Sequence, residues 1–210
     1  MTPVLSPQAR AHWLDEAIGF VRRIGLQVTV APADSLWPEA FLPEIRIRGG
    51  ALEVMADAFP GDVLHEAAHV AILPPAFRPL ADAALEAVTE AARVYCDAHA
   101  DALMAHPEDP VCRALLQCSD AEATAWQYAA AQQIGMPDCW LFPPGSYSGQ
   151  RDAILKMLKL KRYLGINGLQ AAGWTLASPN PHRAAPLYPK MAFWLHPGRA
   201  LTNQAFRRRA

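Results

Sequence analysis

The chain has 210 residues, 52% of them hydrophobic and only 19% charged, which suits one domain with a sizeable core and excludes a disordered chain. Nineteen Lys and Arg against 20 Asp and Glu leave a net charge of −1, so nucleic acid and anionic membranes are not expected partners. The one basic cluster at the end, Arg207-Arg208-Arg209, is too short to change that.

Forty alanines predict much helix with close backbone packing. The first residues, Met1 to Pro7, lack a basic stretch followed by an apolar one, and no apolar run approaches the ~18 residues of a membrane span. A cytoplasmic location is expected. Cys96, Cys112, Cys118 and Cys139 form no C-x-x-C pair and read as buried free thiols.

In chain order, Ser6-Pro7 reads as a helix start, and Trp13, Ala17, Ile18, Val21 and Ile24 form an apolar face that Gly25 ends. Leu26 to Val30 alternates as a strand does. Residues 44–48 and 51–55 alternate on either side of Gly49-Gly50, the signature of a tight hairpin. Helices are expected over 57–73, 79–106, 110–117, 119–134 and 151–164, with a short one near 168–172. The segment 138–149 reads as a loop. The cations Arg151, Lys156, Lys159, Lys161 and Arg162 read as the solvated face of their helix.

The expected fold is α+β and mostly helical, an N-terminal helix and small antiparallel sheet packed on a helical core. Residues 1–177 form the domain, and the Pro-rich residues 178–210 an arm packed on it.

The chemistry centres on His65-Glu66-Ala67-Ala68-His69. Four residues on a helix bring both imidazoles to one side, where they can take two corners of a tetrahedral metal site. Glu66 lies about 100° around the helix, beside the metal, where it can take a proton from metal-bound water. A third ligand is needed, and position 76 is Ala, so a carboxylate on a later helix is expected. Glu122 is the favoured candidate because its helix is rich in small residues; Glu90 and Glu86 are the alternatives. Ser119-x-x-Glu122 also fits a capping box, which would employ Glu122 differently.

Asp97, Asp101 and Asp120 are candidate partners for the imidazole N–H groups. Tyr147, on a Gly-flanked loop, is a candidate oxyanion donor. His99, His106, His182 and His196 read as structural or surface residues. A di-iron bundle is disfavoured, because Glu66-x-x-His69 is the chain's one E-x-x-H element.

With His65-Glu66-x-x-His69 and Asp120-Ala121-Glu122-Ala123, the chain resembles zincin-like metallopeptidases of the gluzincin kind, nearest the compact ImmA/IrrE-like families. The resemblance covers about Ser6 to Gly135 in its order of elements, while Tyr188-Pro189-Lys190-Met191 lies outside it. It implies Zn2+ held by His65, His69 and Glu122, with Glu66 as general base and a peptide or protein as substrate. The competing expectation is a non-catalytic metal-binding or regulatory protein with this fold.

Overall fold

The computed structural model describes residues 6–35, 37, 42–82, 86–105, 114–115 and 119–198. His106, Cys112, Cys118, Arg207 to Arg209 and nearly all of the helix expected over 110–117 lie outside these.

Helix α1 (Pro7–Arg23) starts where Ser6 Oγ accepts from the Ala9 amide at 3.1 Å, with Pro7 in the first turn. Its buried face is Leu14, Ala17, Ile18, Phe20 and Val21, and Gly25, at φ 101°, turns the chain away. Strands β1 (Val28–Ala31), β2 (Ile45–Arg48) and β3 (Ala51–Met55) form a three-stranded sheet in the order β1-β3-β2. Gly49 and Gly50 both have positive φ, as the β2–β3 hairpin requires.

The sheet is mixed rather than antiparallel. β2 pairs antiparallel to β3, but β1 pairs parallel to it in the register Val28↔Leu52 to Ala31↔Met55. The hairpin occupies one side of β3, so β1 takes the other side after a longer connection. Ile45, Ile47, Leu52 and Val54 are buried on the helix side. On the opposite face Arg46 pairs with Glu53 at 2.6 Å and lies 4.9 Å over the Trp37 ring.

Helix α2 (Pro60–Ile72) stops before Pro74-Pro75. The single helix expected over 79–106 is instead a 3-10 turn (Arg78–Leu80), α3 (Glu86–Ala98) and α4 (Ala100–Ala105). At the break, the His99 ring stacks on Tyr95, and its Nδ1 lies 2.8 Å from the Tyr95 carbonyl that the His99 amide also uses. The same amide also lies 3.2 Å from Cys96 O, the tighter bonding of a last helical turn.

Helix α5 (Asp120–Gln133) follows Ser119 and ends at Gly135. Helix α6 (Arg151–Lys159) is shorter than expected. Lys161, at φ 56°, and the Arg162 amide bond to Met157 O close it, and the chain re-enters a helix as α7 (Leu164–Ala171).

Helix α2 lies between α1 and α5, and α7 packs on α5. Glycine makes the closest approaches possible. A Cβ on Gly61 would stand 1.9 Å from Leu141 O, and one on Gly165 1.8 Å from Ala121 O.

The segment after Ser178 returns across these helices. Tyr188 Oη donates to Ala125 O at 2.8 Å, Trp194 packs on Phe20 and Trp126, and the His196 amide donates to Ala71 O at 2.9 Å. Among the described residues no helix is long and apolar enough to cross a membrane.

Gly61→Ala and Gly165→Ala are each expected to destabilise the protein by about 1–3 kcal/mol or more, since backbone must move to admit the methyl group. Gly145→Ala, with nothing within 4 Å of its added Cβ, meets only the penalty of its φ of 84° and should cost less. Urea denaturation of the three variants orders them, and equal losses would contradict the packing.

Candidate metal centre

Helix α2 is apolar nearly all round, so its few polar side chains are placed by the helices that cover it. Val63, Leu64, Ala67, Ala68, Val70, Ala71 and Ile72 are buried. The side chains of His65 and His69 keep only 13% and 8% exposure. Their Nε2 atoms face each other at 3.3 Å, with the rings nearly perpendicular at 82°. Two nitrogens bound ~2.0–2.1 Å from a tetrahedral ion stand about 3.3 Å apart, so this pair matches two corners of such a site.

His65, Glu66 and His69 are a cluster whose donor atoms all lie within 4.8 Å of one another. Burial pushes the Glu66 carboxyl up, and the neighbouring imidazoles oppose that shift. A carboxyl moved toward neutrality is suited to taking and returning a proton.

Across from α2, the first residue of α5 completes the picture. Asp120 Oδ1 lies 3.3 Å from His69 Nε2 and 3.8 Å from His65 Nε2. The two facing imidazoles, His65 and His69, hold its carboxyl well below the usual range. The side chain is 83% exposed, so this edge of the cluster is open to solvent. Two imidazole nitrogens and one carboxylate oxygen therefore converge from two helices, a donor set suited to a divalent cation such as zinc.

Glu122 is not brought into this group. It is buried on the α7 side of α5, accepts a short hydrogen bond from Ser119 Oγ, and packs so tightly on Gly168 that a Cβ there would meet its Oε1 at 2.2 Å. The bond joins two side chains, without the reciprocal amide bonds of a capping box. Glu90 is an exposed partner of Arg93, at 2.7 and 3.0 Å. Glu86 opens α3. Asp97 also pairs with Arg93, Asp101 is exposed, and Asp120 approaches Nε2 of each imidazole.

Tyr147 lies on a turn at φ 56° and reaches Thr124, Oη to Oγ1 3.2 Å. Burial pushes its phenol up to about 12. Thr124 stands one helical turn beyond Asp120, so the phenol reaches the same stretch of α5. His99 is exposed, His182 is exposed, and His196 is buried near Trp174.

Sequence reasoning gave no role to Asp62 and set Asp120 behind Glu122. Asp62 could have been found by its i, i+4 spacing to Glu66 on the same helix. No family model, curated protein or solved structure matches the chain.

Burial and the carboxylates of Glu44 and Glu66 push the Asp62 carboxyl up to about 7, with Arg10 opposing. The folded value lies above the ordinary one, so the native state keeps a proton that the unfolded chain releases from about pH 4 upward. The associated stability is present at low pH and is lost as pH rises toward 7. Asp62→Asn is expected to raise the thermal midpoint of the metal-free protein more near about pH 8 than near about pH 4. Circular dichroism melts at both values test this, and a shift independent of pH would count against it.

Proposed function

We propose that this chain is a zinc-dependent hydrolase of peptide bonds, with His65, His69 and Asp120 as the protein ligands and Glu66 as general base. The observation that carries the reading is the meeting of two Nε2 atoms 3.3 Å apart with a carboxylate oxygen from a second helix, beside the half-buried Glu66 carboxyl. Zinc held there would polarise a carbonyl and acidify a water.

Glu66 then takes one proton from the attacking water as its oxygen bonds to the amide carbon. It returns that proton to the nitrogen as the C–N bond breaks, giving a carboxylic acid and an amine. Tyr147, whose Oη reaches Thr124 one turn beyond Asp120, is the donor for the negative charge that develops on the carbonyl oxygen.

The sheet offers a place for an extended substrate. Met55 N bonds to Glu44 O, and Leu52 N bonds to Gln27 O on the β1 side. The alternation of an antiparallel pair therefore turns the N–H and C=O of Ile47 toward the outer edge of β2. Among the described residues no strand lies beyond β2. A peptide added there pairs by backbone, which suits a protein with little net charge.

The site's 83% exposed Asp120 favours a reactive centre over a sealed structural one, in which a protein side chain would close the last position. The test is metal content and peptide hydrolysis in four proteins. Wild type is expected to hold about one zinc and cleave peptides. Glu66→Gln should retain zinc and lose about 10²-fold or more in kcat. Asp120→Ala should lose zinc affinity, while Glu122→Gln should keep zinc. Full hydrolysis by Glu66→Gln would sink the mechanism. Zinc loss in Glu122→Gln with retention in Asp120→Ala would return the third ligand to Glu122.

A further inference from the structure

Helix α1, the 56–59 connection into α2 and the 140–144 segment enclose a cavity of about 370 Å³, outside the metal centre. That size falls in the range of pockets that take small organic groups. Leu14, Phe59 and Trp140 line it and are themselves buried, while Ala11, Asp57 and Pro144 stand exposed around its mouth. The Phe59 and Trp140 rings meet at 5.7 Å between centroids, so two aromatic walls are fixed against each other. On the α1 side Pro7, Ala11 and Leu14 follow the spacing of one helix face, which gives the cavity a rigid flank.

Two connections lead from this cavity to the metal centre. Phe59, at the N-cap of α2, precedes Glu66 by two helical turns, so both stand on one face about 10 Å apart along the axis. The 140–144 segment continues into the turn that carries Tyr147. The Tyr147 ring meets Phe142 edge-on at 5.0 Å, and its Oη lies 3.2 Å from Thr124 Oγ1, one turn beyond Asp120. An extended chain advances ~3.3 Å per residue, so about three residues cover the distance from Glu66 to the cavity.

The walls and the charges around the mouth decide what enters. A charged side chain gives up water for walls that are mostly apolar, and that costs far more than the same transfer of a hydrocarbon. Arg10 lines the cavity, but its guanidinium already donates from Nε to Ala58 O at 3.3 Å and from Nη2 to Glu44 Oε2 at 3.5 Å. It also lies 5.9 Å over the Phe59 ring. An acidic side chain entering here meets an occupied guanidinium and the carboxylates of Glu44 and Asp57, and a basic one meets Arg10. A neutral, apolar side chain gains free energy by the transfer.

We infer that this cavity is a subsite of the metal centre that binds one large apolar side chain of an extended peptide, about three residues from the bond that is cut. The assignment rests on the hydrolytic reading given above and deepens it into a substrate class, peptides with an aromatic or large aliphatic residue at that place. Phe59 and Trp140 supply the surface that covers the side chain. Ala11 leaves the entrance open because it carries only a methyl group. The peptide backbone runs from the mouth along α2 toward Glu66.

The test uses zinc-loaded Glu66→Gln, in which a bound peptide stays uncut, and a capped octapeptide of alternating serine and glycine as the parent probe. Three derivatives carry phenylalanine, glutamate or lysine at one central position. Calorimetry is expected to show the phenylalanine peptide binding about tenfold tighter than the parent, and the glutamate and lysine peptides within about twofold of it. Ala11→Trp, added to the same protein, plugs the mouth from an exposed position on α1 and should erase the phenylalanine gain. His12→Trp, on another face of that helix, should keep it. Thermal midpoints are measured on each variant, and Ala11→Leu, a smaller plug, gives the same readout if the tryptophan variant melts early.

A phenylalanine gain below about twofold, a gain that survives the plug, or an equal gain for glutamate or lysine would overturn the assignment. Wild-type hydrolysis is run in parallel on peptides in which the phenylalanine moves one residue at a time. The cut is expected to move in step, about three residues away, and cuts directly beside the phenylalanine would overturn the placement. No cleavage of any peptide defeats the hydrolytic reading instead, while the titrations still decide whether the cavity takes an apolar side chain.

Discussion

The approach of α5 to α2 is the contact on which every group of the metal centre depends. His65, Glu66 and His69 belong to one helix and Asp120 to the other, so any slip between them separates the donors. One buried side chain ties the pair together. Gln127 Nε2 donates to Gly61 O at 2.9 Å and to Leu141 O at 2.7 Å, joining α5 to the start of α2 and to the turn at 138–141. A buried amide left without such partners costs about 1–3 kcal/mol, so the two bonds also select the register in which they form. Around them Ala67, Ala68, Ala123 and Ala130 are fully buried. Small side chains allow the helices to meet closely at interior density, which larger residues would prevent.

The C-terminal arm acts on the same pair of helices from another direction. Tyr188 bonds to a backbone carbonyl of α5, and His196 bonds to one of α2 through its amide. Trp194 lies edge-on to both Phe20 of α1 and Trp126 of α5, with ring centroids 5.0 and 5.4 Å apart. Three helices are thus bridged by one segment. Its aromatic residues bury large apolar area while needing little internal structure of their own. That explains how the described part of a stretch so rich in proline is held in place with one β-bridge, Leu176 to Leu187, as its regular pairing.

Local signals were legible in the sequence where one short segment decides its own conformation. Ser6-Pro7, Gly25, Gly49-Gly50 and the four-residue spacing of His65 and His69 each specify a backbone state or a shared face, and each element formed where expected. What could not be read depended on contacts between distant segments. The parallel pairing of β1 was hidden because alternation reveals a strand but not its direction. At the interruption the His99 amide is shared between the Tyr95 and Cys96 carbonyls, a local tightening that periodicity does not register. The placement of the carboxylates around α5 belongs to the same class. Asp120 and Glu122 are two residues apart, about 200° around the helix, so only the positions of α2 and α7 decide which carboxylate meets which neighbour.

That division has a physical logic. At the first position of α5, a short carboxylate can cross directly to the imidazoles, and it also sits favourably at the positive end of a helix of 14 residues. Glu122 on the other side meets a neighbour with no side chain at all, because Gly168 opens the space its longer stem fills. With its carboxylate engaged by Ser119, it fixes how the first turn of α5 leaves the preceding chain. The aim of Asp120 is then set from behind, by a buried carboxylate against a glycine, as much as by the imidazoles in front. A glycine on α7 thus becomes part of what orients the first turn of α5.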